Sequence, residues 1–115
     1  MFNFENLRVY EDSLEFVNRV YNITKNWPTD ERFGLVDQIR RAATSVTLNI
    51  AEGSSRTKKD FCHFLDLTRG SCYECVAVIK IALNREYVNE KEYQTLYDEI
   101  EIISRKVSAL KRSLR

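Results

Sequence analysis

Along this chain apolar residues recur every three or four positions, the period of helices that bury one face. From Val9 to Trp27 a stripe runs through Tyr10, Leu14, Val17, Tyr21 and Thr24, widened on one side by Val9, Phe16, Val20 and Ile23. Pro28 excludes the preceding residue from helical geometry, so a first helix over 8–27 is expected to stop there. Thr29 and Asp30 are candidate caps for a second helix over 30–52, with Glu31 favoured in its first turn. The predicted core face of that helix is Leu35, Val36, Ile39, Ala42, Ala43, Val46 and Ile50, and Gly53, Ser54 and Ser55 supply its stop. Thr57 and Asp60 have capping-box-like spacing at the start of a third helix over 58–83. Asn89 and Glu92 repeat it before a fourth over 90–112. The fourth helix carries Tyr93, Leu96, Ile100, Ile103, Val107, Leu110 and Leu114, alternating in threes and fours like a coiled-coil seam. No run alternates as a half-buried strand would. Four amphipathic helices with short joints predict an all-α fold: one domain over 1–115, an antiparallel up-down-up-down four-helix bundle.

Two helices carry apolar surface beyond one core face. In CVAVIKIAL, Cys75 to Leu83, only Lys80 is polar. Cys72, Cys75, Val76, Ile79 and Leu83 share one side of the wheel, whereas Val78 and Ile81 point away from it, with Leu67 near Val78. On the second helix Leu48 lies opposite the core stripe. A helix apolar on two sides is buried from two directions. Leu48, Leu67, Val78 and Ile81 are therefore the expected subunit interface of a homo-oligomer.

Composition narrows the class. With 115 residues, 43% hydrophobic and 30% charged, the chain is globular rather than disordered. A net charge of +1 leaves the sign of a partner open, because charge can be clustered. No signal peptide is visible at the N-terminus, and the longest apolar-rich run is too short to span a bilayer. Three cysteines without a secretion signal imply free thiols, a reducing compartment and a cytoplasmic location.

The stretch QIRRAATSVTLNIAEG, from Gln38 to Gly53, places Gln38, Arg41, Ser45, Asn49 and Glu52 on one polar edge of the second helix. Such an edge reads either as a binding site or as a hydrogen-bonded network between packed helices. The network is the expectation, since nothing in the sequence implies a pocket there.

These same residues carry a family resemblance. FENLRVYEDS, ERFGLVDQIRRAATSVTLNIAEGSSR and KDFCHFLDLTRGS together resemble the four-helix-bundle family of ribosomal RNA intervening sequences. The chain is also similar to the accessory variability (Avd) proteins of diversity-generating retroelements. The resemblance covers essentially the whole chain. It implies a ring-like homopentamer with no known catalytic centre, nucleic-acid binding and, in the retroelement branch, a reverse-transcriptase partner. Members of the family commonly have proline where this chain has Thr47, so a kink that proline would impose on the second helix is not expected here.

Catalytic and metal chemistry find little support. Cys72 and Cys75 spell C-x-x-C, but inside a predicted helix rather than at a strand-to-helix junction. A closed zinc site needs four ligands. The other soft candidates, Cys62 and His63, sit about three turns away on the same helix. Core thiols, no metal and no cofactor are expected. His63 has no companion nucleophile at a telling spacing and reads as a surface or interface residue. The chain is not expected to be an enzyme.

Charge is more informative. Arg56, Lys58 and Lys59 lie at the second turn; Arg105, Lys106, Lys111, Arg112 and Arg115 close the fourth helix, with no acidic residue after Arg105. In the predicted topology both groups fall at one end. They either complement a helix dipole or form a phosphate-directed site for RNA or DNA. No aromatic residue interleaves with these cations in the sequence, so base stacking is not indicated. The expectation is a non-catalytic oligomeric module that binds nucleic acid. The alternative is a protein-interaction scaffold, such as a reverse-transcriptase accessory subunit, whose basic end is incidental.

Overall fold

A computed structural model describes all 115 residues. It contains four α-helices and no strand: α1 (Arg8–Thr24), α2 (Leu35–Gly53), α3 (Lys58–Asn84) and α4 (Glu90–Ser113), with 3-10 turns at Asn3–Asn6 and Thr29–Glu31. Each helix packs on the next and α1 also packs on α4, giving a compact bundle-like body 42 × 22 × 21 Å. Ion pairs Arg19–Glu99 and Lys106–Asp12 set α1 antiparallel to α4. Thr47 bonded to Ser13, and Arg40 bonded to Thr24, do the same for α1 and α2. No helix is long and apolar enough to cross a membrane.

The core is built from Phe16, Val20, Ile39, Val46, Ile50, Leu65, Ile79, Leu96, Ile100, Ile103 and Val107, all essentially inaccessible. The centre of α1 differs from the predicted stripe. Leu14 and Tyr21 are exposed, while the inward face is Val9, Ser13, Phe16, Val20 and Thr24. Ser13 and Thr24 read as polar in sequence, yet each hydroxyl donates to a carbonyl of the preceding turn, Tyr10 O at 2.6 Å and Val20 O at 2.7 Å. Their donors are satisfied inside the helix and their oxygens accept from Thr47 and Arg40 of α2, so burying them costs little.

Two boundaries depart from expectation. The first helix ends at Thr24 rather than Trp27, because Pro28 disfavours helical geometry at Trp27 and the indole turns inward against Tyr87, 5.8 Å between centroids. Thr29 and Asp30 do not cap the second helix but sit in a 3-10 turn, and α2 begins at Leu35. There the Glu31 carboxylate accepts the Leu35 N–H at 3.2 Å and the Tyr87 hydroxyl at 2.9 Å. A Cβ at Gly34 would stand 2.7 Å from that carboxylate, so glycine leaves it room to cap.

The other helix starts follow the sequence reading. The Thr57 hydroxyl accepts from Asp60 N–H, and Asn89 and Glu92 form a reciprocal capping box. After α3, Glu86 adopts φ 65° while Tyr87 N–H reaches Ala82 O at 2.8 Å and Glu86 N–H reaches Leu83 O at 3.0 Å. This is a Schellman closure with glutamate where glycine is usual.

Candidate nucleic-acid interface

The second turn and the end of α4 meet. Gly53 lets α2 close against the start of α3, since a Cβ there would lie 2.7 Å from Phe64 Cβ and 2.8 Å from a Phe61 ring carbon. On the other side Lys111 of α4 reaches Asp66 of α3 at 2.7 Å, and the Cys62 thiol points to the Lys111 carbonyl at 3.9 Å. The two basic clusters predicted to share an end therefore lie on adjoining segments.

Their side chains are not equally available. Lys106 pairs with Asp12 and Lys111 with Asp66, so both tie α4 to its neighbours. Arg56 pairs with Glu52 at 2.9 Å and lies over Phe64, and Arg105 reaches Glu101 at a loose 3.5 Å. Lys58, Lys59, Arg112 and Arg115 take no ion pair.

Sequence reasoning missed the concave part of this surface. An open groove of about 440 Å³ runs between α3 and α4, walled by Arg69 and Tyr73 on one side and by Glu101, Ser104, Arg105, Ser108 and Arg112 on the other. Arg69 donates to the Tyr73 hydroxyl at 3.0 Å and lies 5.0 Å from its ring centroid. The absence of interleaved aromatics holds along the sequence but not in space, because α3 brings Tyr73 opposite the arginines of α4. The available signal was the four-residue spacing of Arg69 and Tyr73 beside the three–four spacing of Arg105, Ser108 and Arg112.

The polar edge of α2 divides. Asn49 donates to the Ser45 hydroxyl and carbonyl, each at 2.9 Å, and Ser71 of α3 donates to Ser45 at 3.0 Å. That part is the expected helix–helix network. Arg41 is not in it: its exposed side chain reaches only Asp37 on its own helix, at 3.8 Å. Glu52 faces Arg56, and the Gln38 side chain is exposed.

The expected interface residues also divide. Leu48 is 65% exposed, and Leu67 and Ile81 are exposed as well, but Val78 at 2% belongs to the chain's own core. The reason is that α3 packs against both α2 and α4, so its inward arc is wider than one stripe and takes in Val78. What remains outside is a stripe at coiled-coil spacing, His63, Leu67, Gly70, Glu74, Ala77 and Ile81, every member exposed. A Cβ at Gly70 would meet nothing within 4 Å, so no contact inside the chain accounts for this mid-helix glycine.

Cys72 and Cys75 are buried, and burial pushes the Cys72 thiol up to about 12 and raises Cys75 as well. At neutral pH both are therefore held as protonated thiols within the core.

Comparison with known proteins agrees with this architecture. Residues 5–109 match the family model described as 23S rRNA-intervening sequence protein. A crystal structure of a protein of unknown function from the S23 ribosomal protein family of Bacteroides thetaiotaomicron superposes with a TM-score of 0.84. It is 24% identical, over 90% of this chain and 95% of that one. No curated protein matches the chain.

Proposed function

Because the chain belongs to the 23S rRNA-intervening sequence protein family, we propose that it is a non-catalytic binding module that contacts RNA or DNA through phosphate. The observation that carries this reading is the gathering of unpaired Lys58, Lys59, Arg112 and Arg115 on adjoining segments at one end. In this reading the up-down-up-down bundle works in the cytoplasm as a ring-like homopentamer, repeating that basic end around a rim. The outward stripe of α3 and the exposed Leu48 supply surface for such an assembly.

Replacing Lys58, Lys59, Arg112 and Arg115 together by Gln tests it in fluorescence anisotropy across a salt series. Affinity should fall, and the log–log salt slope should become shallower by about 0.7 to 0.9 for each phosphate that is no longer neutralised. Unchanged binding by this variant would remove the basic end from the mechanism. Lys106 and Lys111 are poor choices for this test, because replacing them would loosen ion pairs between helices.

A second reading, a protein-interaction scaffold such as a reverse-transcriptase accessory subunit, draws support from Phe33. This side chain is 86% exposed at the turn before α2, and Phe2 is exposed at the N-terminal turn. An intact oligomer that binds no nucleic acid at low salt would favour this scaffold over the module.

A further inference from the structure

The basic groove between α3 and α4 does not end at its arginines. A second, mostly apolar groove of about 450 Å³ continues it toward Lys80 and shares Tyr73, Glu101 and Ser104 with it. On α3 the wall runs from Arg69 through Tyr73 and Val76 to Lys80, about 16 Å of helix. On α4 it runs back from Arg112 through Ser108 and Ser104 to Ile100 and Tyr97. One half presents three guanidinium groups and two serine hydroxyls, with the Tyr73 hydroxyl beside them, against one carboxylate, Glu101. The other is lined mainly by Cys72, Val76, Ala77, Tyr97 and Ile100, with Lys80 at its far end. Tyr73 stands at the junction, 60% exposed although it is a large aromatic.

We infer that this α3–α4 groove is a track for single-stranded nucleic acid, with phosphates on Arg69, Arg105 and Arg112 and an unpaired base against Tyr73. The proposal rests on the nucleic-acid reading above and names its site and strand form. Planar guanidinium forks suit phosphate oxygens, and Ser104 and Ser108 can donate to the same oxygens. An exposed tyrosine beside them offers a stacking surface that any base can use. A duplex keeps its base faces stacked inside and could use only the charged half. An acidic peptide would satisfy the arginines but gives Tyr73 and the apolar half no systematic occupant. The Glu101 carboxylate, held loosely by Arg105, lines both halves and disfavours a phosphate beside it at the junction.

The test is anisotropy with a labelled single strand and the same sequence as duplex, on the intact assembly at low salt. Tyr73→Ala should weaken single-strand binding about five- to tenfold, the lower part of the range for one stacked base. It should leave duplex binding unchanged, and Tyr73→Phe should restore the single strand. Arg69→Gln should make the single-strand salt slope shallower by about 0.7. Losses from Tyr73→Ala that are equal for both strand forms, or absent, overturn the track. If Tyr73→Ala and Arg69→Gln are silent while the Lys58, Lys59, Arg112 and Arg115 variant fails, the module stands and the groove is not its site. No binding of either form by the unaltered protein sinks both. A change of oligomer mass on Tyr73→Ala assigns the groove to contact between copies and also overturns the proposal.

Discussion

The Thr47–Ser13 hydrogen bond yields the sharpest stability prediction. The Thr47 hydroxyl donates to Ser13 Oγ at 2.9 Å between α1 and α2, and Ser13 in turn donates to the Tyr10 carbonyl. Both residues are buried. Thr47→Val keeps the shape and removes the donor, leaving a buried Ser13 acceptor unfilled, which costs about 1–2 kcal/mol. Ser13→Ala leaves the Thr47 hydroxyl free to turn back to the carbonyl one turn earlier on α2, so about 0.5–1 kcal/mol is expected. The double variant has no orphaned group and should lose less than the sum of the singles, within about 1 kcal/mol of the parent. The coupling is then about 1 kcal/mol, well outside the additivity of unconnected sites. Urea unfolding at fixed protein concentration measures all four proteins, and each kcal/mol should also move Tm by about 4 °C. If the two single losses simply add in the double variant, the pair is not a working contact. Thr47→Pro, which introduces the residue common in resembling proteins, should cost about 3 kcal/mol or more, because it removes both the hydroxyl and a helical N–H.

Three further outcomes are expected. Glu86→Gly should stabilise the fold by about 0.5–1 kcal/mol in the same urea assay, since a non-glycine residue at φ 65° strains the Schellman turn; a drop in stability would show that the glutamate makes an interaction worth more than the strain. Thiol labelling of the folded protein should modify Cys62 first and spare Cys72 and Cys75 until denaturant is added, because burial holds those two protonated; rapid reaction of all three would contradict the core placement. Burial raises the Glu99 carboxyl above its ordinary range, against the opposing pull of Arg19 and with Glu15 pushing the same way. The folded chain thus keeps that proton to higher pH than the unfolded chain, so the Glu99 contribution is complete below the ordinary carboxylate pKa and is lost as pH rises through the raised one. Melting curves should show the parent losing ground to Glu99→Gln over that rise, whereas a gain would mean that the Arg19 pair outweighs desolvation.

Much of the fold could be read from the chain because its helix signals are local. The capping residues Thr57, Asn89 and Glu92 act within one turn of themselves, and the α4 seam buries Leu96, Ile100, Ile103 and Val107. The misreadings arise where a distant residue decides the outcome. Trp27 leaves the helix to reach Tyr87, sixty positions away, and Glu31 is drawn into capping Leu35 and holding the same tyrosine. Val78 is apolar on both the expected and the observed reading. Only the packing of α3 between α2 and α4 determines that it faces inward.

Charge is harder to read than apolarity, and the reason is physical. A leucine needs only to lose water, so its face on the helix nearly decides its fate. A lysine's role depends on whether an acid from another helix lies within a few ångströms. Lys106 and Lys111 looked like the centre of a basic cluster, yet the register of α4 against α1 and α3 delivers Asp12 and Asp66 to them. That same register leaves Arg112 unpaired and sets it across a groove from Arg69, a residue more than forty positions earlier on another helix. A basic surface in this fold is therefore a remainder, the cations left after inter-helix pairing. On the proposed phosphate-directed reading, Asp66→Asn, by releasing Lys111 beside Arg112, should strengthen nucleic-acid binding while slightly weakening the fold. Counting lysines along the sequence would predict no change.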